Sequence, residues 1–178
     1  MNITVYLGSG TGKDPALAEA VRELGSWIGQ NGHTLVYGGS GNGLMGCLAE
    51  AAKQAGAHII GVEPEIFISE EFQYDGLDEL IVTKDLPDRK RKMMELGDAF
   101  IAFPGGTGTL EEISEVMSAA AIHLLEAPCI LYNLNGYYDD LARLLAHMLS
   151  MELSSAEKQE KISFCANLSQ IERLLAEA

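Results

Sequence analysis

Pro104-Gly105-Gly106-Thr107-Gly108-Thr109-Leu110-Glu111-Glu112 lies between an apolar run, Ala99-Phe100-Ile101-Ala102-Phe103, and a segment whose apolar residues Leu110, Ile113, Val116 and Met117 recur at helical spacing. The order is strand, glycine turn, helix start. Such a turn presents free backbone N–H groups and the positive end of a helix to whatever sits above it. Gly105, Gly106 and Gly108 permit close approach, and Thr107 and Thr109 add hydroxyl donors, an arrangement that suits a phosphate or a ribose. Glu111 and Glu112 fall in the first helical turn. A carboxylate there either complements the helix dipole or, directly behind an anion-binding loop, transfers protons, and the residue types leave both readings open.

The same pattern occurs twice upstream. Ile3 to Gly8 is a β-rich run that ends in Gly8-Ser9-Gly10-Thr11-Gly12, and Leu17, Val21, Leu24 and Ile28 then follow at helical spacing as far as Gly32. Thr34 to Tyr37 runs into Gly38-Gly39-Ser40-Gly41-Asn42-Gly43-Leu44-Met45-Gly46, and a helix follows to about Ala55. His58 to Val62, Glu79 to Thr83 and Cys129 to Tyr132 read as further strands. Glu63 to Gly76, rich in acids and aromatics, reads as a long connection suited to carry a lid or part of a site, with Ile66, Phe67 and Ile68 as candidate core in the alternative. Helices are expected over Tyr137 to Leu149 and after an N-cap at Asn167 or Ser169, with a short apolar run at Ile162 to Phe164 between them. Short strands apolar on both faces, alternating with helices, predict a single Rossmann-like α/β domain over residues 1–178. Its sheet is open and mainly parallel with helices on both faces, and a ligand belongs outside the carboxyl ends of the strands.

The net charge of −14 argues against a nucleic-acid or anionic-membrane surface, both of which need a positive field. Met1 to Gly10 lacks the features of a signal peptide, and no stretch is apolar for the ~20 residues that span a bilayer, so a cytoplasmic location is expected. Cys47, Cys129 and Cys165, like His33, His58, His123 and His147, are scattered, and no metal site is expected. Against this acidic background Arg89-Lys90-Arg91-Lys92 stands out. Either it is a solvated helix surface over Met93 and Leu96, or Arg89 turns toward an anion in the pocket of the glycine turns.

Taken together, Pro104 to Glu112, Arg89-Lys90 with Met93, Asp98 to Ala102, Tyr37-Gly38-Gly39 and Gly43 to Gly46 resemble the LOG ("Lonely guy") family of cytokinin riboside 5'-monophosphate phosphoribohydrolases, also labelled lysine decarboxylase-like. The resemblance runs from about Ile3 to Leu149. It implies hydrolysis of the N-glycosidic bond of an N6-substituted adenosine 5'-monophosphate, or of AMP, to the free base and ribose 5-phosphate, by a homodimer that needs no cofactor. It implies Arg89 and Glu112 as the catalytic pair. It implies nucleotide binding by Gly8, Ser9, Gly39, Lys90, Gly105, Gly106, Thr107, Gly108, Thr109, Leu110 and Glu111, with Glu71 as a ligand-binding acid and Ser118 in place of a threonine contact.

The chain departs from the family pattern at Ser40, a glycine in relatives, and at Glu63, within a usually apolar Gly-Val-x-Pro segment. Ala119 and Ala121 stand where plant-like members have Trp and Gln. A pyridoxal phosphate decarboxylase would need a Schiff-base lysine, and none of Lys13, Lys53, Lys84, Lys90 or Lys92 has such a context. The alternative from another class is a nucleotide or molybdenum-cofactor carrier without turnover, whose fold and glycine signature overlap with these.

Overall fold

The computed structural model describes residues 1–68 and 72–177, so the expectation for Glu71 lies outside the described residues. Among the described residues seven parallel strands form one sheet: β1 (Asn2–Tyr6), β2 (Thr34–Tyr37), β3 (His58–Pro64), β4 (Glu79–Thr83), β5 (Ala99–Ala102), β6 (Cys129–Tyr132) and β7 (Ile162–Cys165). Their order across the sheet is β4-β3-β2-β1-β5-β6-β7. The chain winds outward from β1 in one direction and restarts at β5 on the other side of it. The crevice at the carboxyl ends of β1 and β5, where Tyr6 pairs with Ala102, is therefore the switch point at which doubly wound sheets bind ligands.

The helices are α1 (Ala16–Gln30), α2 (Gly43–Gln54), α3 (Glu65–Ile68), α4 (Leu86–Leu96), α5 (Thr107–Ala121), α6 (Asp139–Ser150), α7 (Ala156–Gln159) and α8 (Leu168–Glu177). Alternation of side chains along each strand feeds two cores. Ile3, Val5, Leu35, Ile59 and Ile101 pack under α1, α2 and α8 with Val21, Leu24, Leu48 and Ile171. Tyr6, Val36, Ile60, Val62 and Phe100 pack on the opposite face with Met93 of α4, and with Ile113, Val116 and Met117 of α5. Helix α4 has little apolar surface, and Met93 is its one buried residue, so its ends are fixed by other means. The Asp85 side chain accepts from the Asp88 N–H, and a proline sits in the first turn.

Several boundaries differ from the sequence reading. Ile162 to Cys165 is a strand in its own right, held at the sheet edge by pairing with β6. Strand β3 continues to Pro64 because Glu63 and Pro64 stay in register with Val82 and Thr83 of β4. Helix α2 begins at Gly43, inside the glycine run. Ile66 and Phe67 are not core: both are exposed on the short helix α3. The edge strand β4 leaves Leu80 and Val82 partly uncovered, so its apolar run does not mark burial on both faces.

Candidate active site

The first, second and fifth strands each end in a glycine turn, and the three turns touch. A Cβ on Gly105 would lie 3.1 Å from the backbone nitrogen of Gly8 and 2.2 Å from Thr109 Oγ1, so the β1 and β5 turns pack as closely as backbone allows. A Cβ on Gly43 would lie 1.7 Å from the Ser9 carbonyl oxygen, which joins the β2 turn to the β1 turn. From Thr107 the chain enters α5, whose N-terminus faces this crevice with Thr109 buried and Thr107, Gly108 and Leu110 exposed. Gly39 lies on the β2 turn and is buried.

Two tyrosines hold the β5 turn from behind. The Tyr138 hydroxyl donates to the Phe103 carbonyl at 2.9 Å, and the Tyr137 hydroxyl donates to the Gly105 carbonyl. They bracket Pro104, one on the carbonyl before it and one on the carbonyl after it. Neither was visible as a site residue in the sequence, because both come from the helix α6 region more than thirty residues away.

Over this crevice α4 and α5 meet through Arg89 and Glu112. Arg89 Nη1 donates to Glu112 Oε1 at 2.7 Å, with the two side chains 15% and 10% exposed. Arg89 Nε donates to the Val62 carbonyl at 2.9 Å. Nη2 lies against Gly38 and has no hydrogen-bond acceptor among the described residues, which leaves it for a ligand. Burial raises the Glu112 carboxyl above its ordinary range, against the opposing pull of the Arg89 guanidinium. Tyr6 lies close by, its phenol pushed up by burial and by the Glu112 charge.

Of the four consecutive cations, Arg89 alone lines the pocket. Lys90 reaches sideways to α5, donating to Glu111 Oε1 at 2.7 Å and lying 2.9 Å from Glu115 Oε2. Arg91 is solvated and paired with Asp88. Glu111 is likewise exposed, so neighbouring acids on one helix have opposite surroundings. Ser118 lies two turns beyond, exposed, its hydroxyl donating to the Ser114 carbonyl.

The cavity beside the pair holds about 350 Å³ and is lined by Ser9, Gly38, Ser40, Asn42, Met45, Glu63, Phe67, Phe72 and Arg89. A larger hollow of about 550 Å³ lies near Met1, Asp98, Pro128 and Leu175, at the amino ends of the strands and away from the glycine turns. Among the described residues no lysine lines the Arg89 cavity, so those residues do not fit a pyridoxal phosphate Schiff base. Among the described residues no three His, Cys, Asp or Glu side chains are placed to hold a metal ion. The Glu63 to Gly76 stretch, expected to carry a lid or part of a site, supplies Glu63, Phe67 and Phe72 to the lining, although no local pattern singles out these three residues within it.

Comparison with known proteins gives the chain's relatives. The family described as "Possible lysine decarboxylase" matches residues 45–175. A cytokinin riboside 5'-monophosphate phosphoribohydrolase from Rhodococcoides fascians is 38% identical over 168 residues, covering 94% of this chain and 85% of that protein. A protein of the same name from Arabidopsis thaliana is 35% identical, covering 98% of this chain and 81% of its own length. Among solved structures, the molybdenum cofactor binding protein of Rippkaea orientalis superposes with a TM-score of 0.73 at 24% identity, covering 99% of this chain and 95% of that one. At that identity the likeness concerns the fold. By sequence match over most of its length, the chain belongs to the LOG family of phosphoribohydrolases, the family that also carries the lysine decarboxylase description.

Proposed function

We propose that the protein hydrolyses the N-glycosidic bond of adenosine 5'-monophosphates, AMP or its N6-substituted (cytokinin) forms, releasing the base and ribose 5-phosphate. The observation that carries this reading is the buried Arg89–Glu112 pair beside the three converging glycine turns. The relatives named as phosphoribohydrolases support the substrate class.

Cleavage of such a bond passes through a ribosyl cation with oxocarbenium character. The α5 N-terminus and the glycine turns take the 5'-phosphate, whose charge they complement. The Glu112 carboxylate faces the developing cation and accepts a proton from the attacking water, a role suited to an acid whose affinity for protons burial has raised. Water oxygen bonds to the anomeric carbon, the C–N electron pair leaves with the base, and the base takes up a proton. Arg89 holds Glu112 in place and offers Nη2 to the nucleotide. No cofactor is needed, because water is the only co-reactant.

Incubation with AMP and with isopentenyl-AMP, followed by chromatography for free base, tests the proposal. Release of base from either supports it. Tight nucleotide binding with release from neither favours the carrier alternative, to which the molybdenum-cofactor protein's fold is the pointer.

The working unit in this reading is a homodimer. Leu110, Tyr137 and Leu144 are exposed around an apolar groove of about 540 Å³ between the start of α5 and α6. Ser118 is exposed on α5 about 9 Å beyond Glu112 at a helical rise of about 1.5 Å per residue, on a surface open to a second copy of the chain. A cytoplasmic location fits the three free thiols. No described helix is long and apolar enough to cross a membrane.

A further inference from the structure

Glu63 has no part in the chemistry above, yet it lines the same cavity. It is 4% exposed and stands at the carboxyl end of β3, next to Val62, whose carbonyl holds Arg89. Its Oε2 accepts from Gln73 Nε2 at 2.7 Å. Gln73 is itself fixed by backbone: it bridges Ser40, with the Gly41 N–H donating to Phe72 and the Tyr74 N–H donating to Gly39. Gly39, at φ +87°, leaves the space that Glu63 Oε1 fills, since a Cβ there would lie 2.8 Å from that oxygen. No described residue donates a hydrogen bond to Oε1. No side-chain oxygen among the described residues is both fully buried and unpaired, so Oε1 is open to the cavity, where a ligand N–H can replace solvent as its donor.

The geometry points to Glu63 as the residue that reads the base: Oε1 accepts an N–H from the exocyclic amino group of a purine whose ring lies against Met45, Phe67 and Phe72. The site therefore selects 6-aminopurine nucleotides, with or without one N6 substituent, over purines that offer no donor at that position. The inference rests on reading the cavity as the nucleotide site. An amino group that carries one substituent keeps one N–H. A 6-oxo group places an acceptor against the carboxylate and is repelled.

The test compares AMP with purine riboside 5'-monophosphate, which lacks only the amino group. Both are offered to the native protein, to Glu63→Leu and to Glu63→Gln, as substrates and, in a Glu112→Gln background, in calorimetric binding. Comparing the ratio between proteins cancels the intrinsic difference between the two leaving bases. The native preference for AMP is expected to be roughly 10- to 100-fold, the range of a hydrogen bond to a charged group. In Glu63→Leu it falls to within about threefold. Glu63→Gln keeps the shape and guards against a variant that does not fold; its amide oxygen stays with Gln73, its N–H₂ faces the base, and the preference falls there too.

An AMP preference equal in all three proteins overturns the inference. A Glu63-dependent preference in binding without any release of base upholds it and removes the hydrolase reading. Hydrolysis of both nucleotides at a ratio unmoved by Glu63 does the reverse, and binding of neither removes both.

Discussion

Arg89 and Glu112 are joined at 2.7 Å across two helices, and each is the other's only ionic partner among the described residues. Removing either leaves a buried charge, so activity and stability change together unless the variant keeps shape. Glu112→Gln keeps shape and removes the proton acceptor. Base release from AMP is expected to fall by about 100-fold or more, in the range of a lost general base. Arg89→Ala falls comparably and also loses about 3 kcal/mol of stability. Arg91→Ala, whose side chain is 62% exposed, stays within about twofold of the native rate. Steady-state rates and denaturant melts on the three variants check this, and an Arg91→Ala loss as large as that of Arg89→Ala would show that the wrong cation has been placed in the site.

The Glu112 carboxyl also makes a prediction about pH. Its pKa in the folded chain is raised above the ordinary 4.5. Between those two values the folded state binds more protons than the unfolded state, so stability falls as pH rises through that window. Relative to Glu112→Gln, whose side chain does not titrate, the native protein is expected to be most favoured below pH 4.5 and to lose that advantage as the pH is raised. Urea melts of the two proteins in parallel from acid to neutral pH measure the difference. A native advantage that grows with pH would mean that Arg89 outweighs desolvation and holds the carboxyl below its ordinary range.

Much of this arrangement can be read from sequence for physical reasons. Strands buried on both faces appear as continuous apolar runs, which is why β1, β2, β5 and β6 stand out. Strand β7 is four residues at an edge, and its identity depends on pairing with β6. The end of β3 is masked because Glu63 is charged, and only its register with Val82 makes it strand. In the site, Glu112 is separated from Glu111 by helix phase: Thr109, Ile113 and Val116 mark the buried stripe of α5, and residue 112 falls on it. Arg89 gains its direction from the Asp85 cap, which sets where α4 starts. The tyrosines behind the β5 turn and the Gln73 support of Glu63 are long-range contacts with no local pattern.

Those tyrosines differ in burial, and their hydroxyls are expected to differ in effect. Tyr138 is buried and donates to the Phe103 carbonyl, so Tyr138→Phe leaves that acceptor unpaired and lowers stability by about 1–2 kcal/mol. Tyr137 is half exposed, and water replaces its hydroxyl at the Gly105 carbonyl, so Tyr137→Phe costs less than about 0.5 kcal/mol. If the Gly105 bond also aims the turn, Tyr137→Phe raises KM for AMP while its thermal midpoint stays near native. Melting curves and KM values for the pair separate the two contributions.

Adjacent glycines in the β5 turn separate folding from ligand binding most cleanly. A methyl group on residue 105 meets Thr109 Oγ1 at 2.2 Å and the Gly8 nitrogen at 3.1 Å, so Gly105→Ala must displace Thr109 and crowd the β1 turn. Overpacking of that kind costs about 1–3 kcal/mol, and activity is lost with it. A methyl group on residue 106 meets nothing within 4 Å, and its φ of −90° is open to alanine. Gly106→Ala is therefore expected to melt like the native protein. Its methyl group nevertheless stands at the N-cap of α5, over the N–H groups that receive the phosphate, and it raises KM for AMP by about tenfold or more, as a misplaced anion loses charge-assisted hydrogen bonds. Calorimetric melts and initial rates on both variants decide the matter: a Gly106→Ala protein with native KM would move the phosphate away from this turn, whatever the fate of Gly105→Ala.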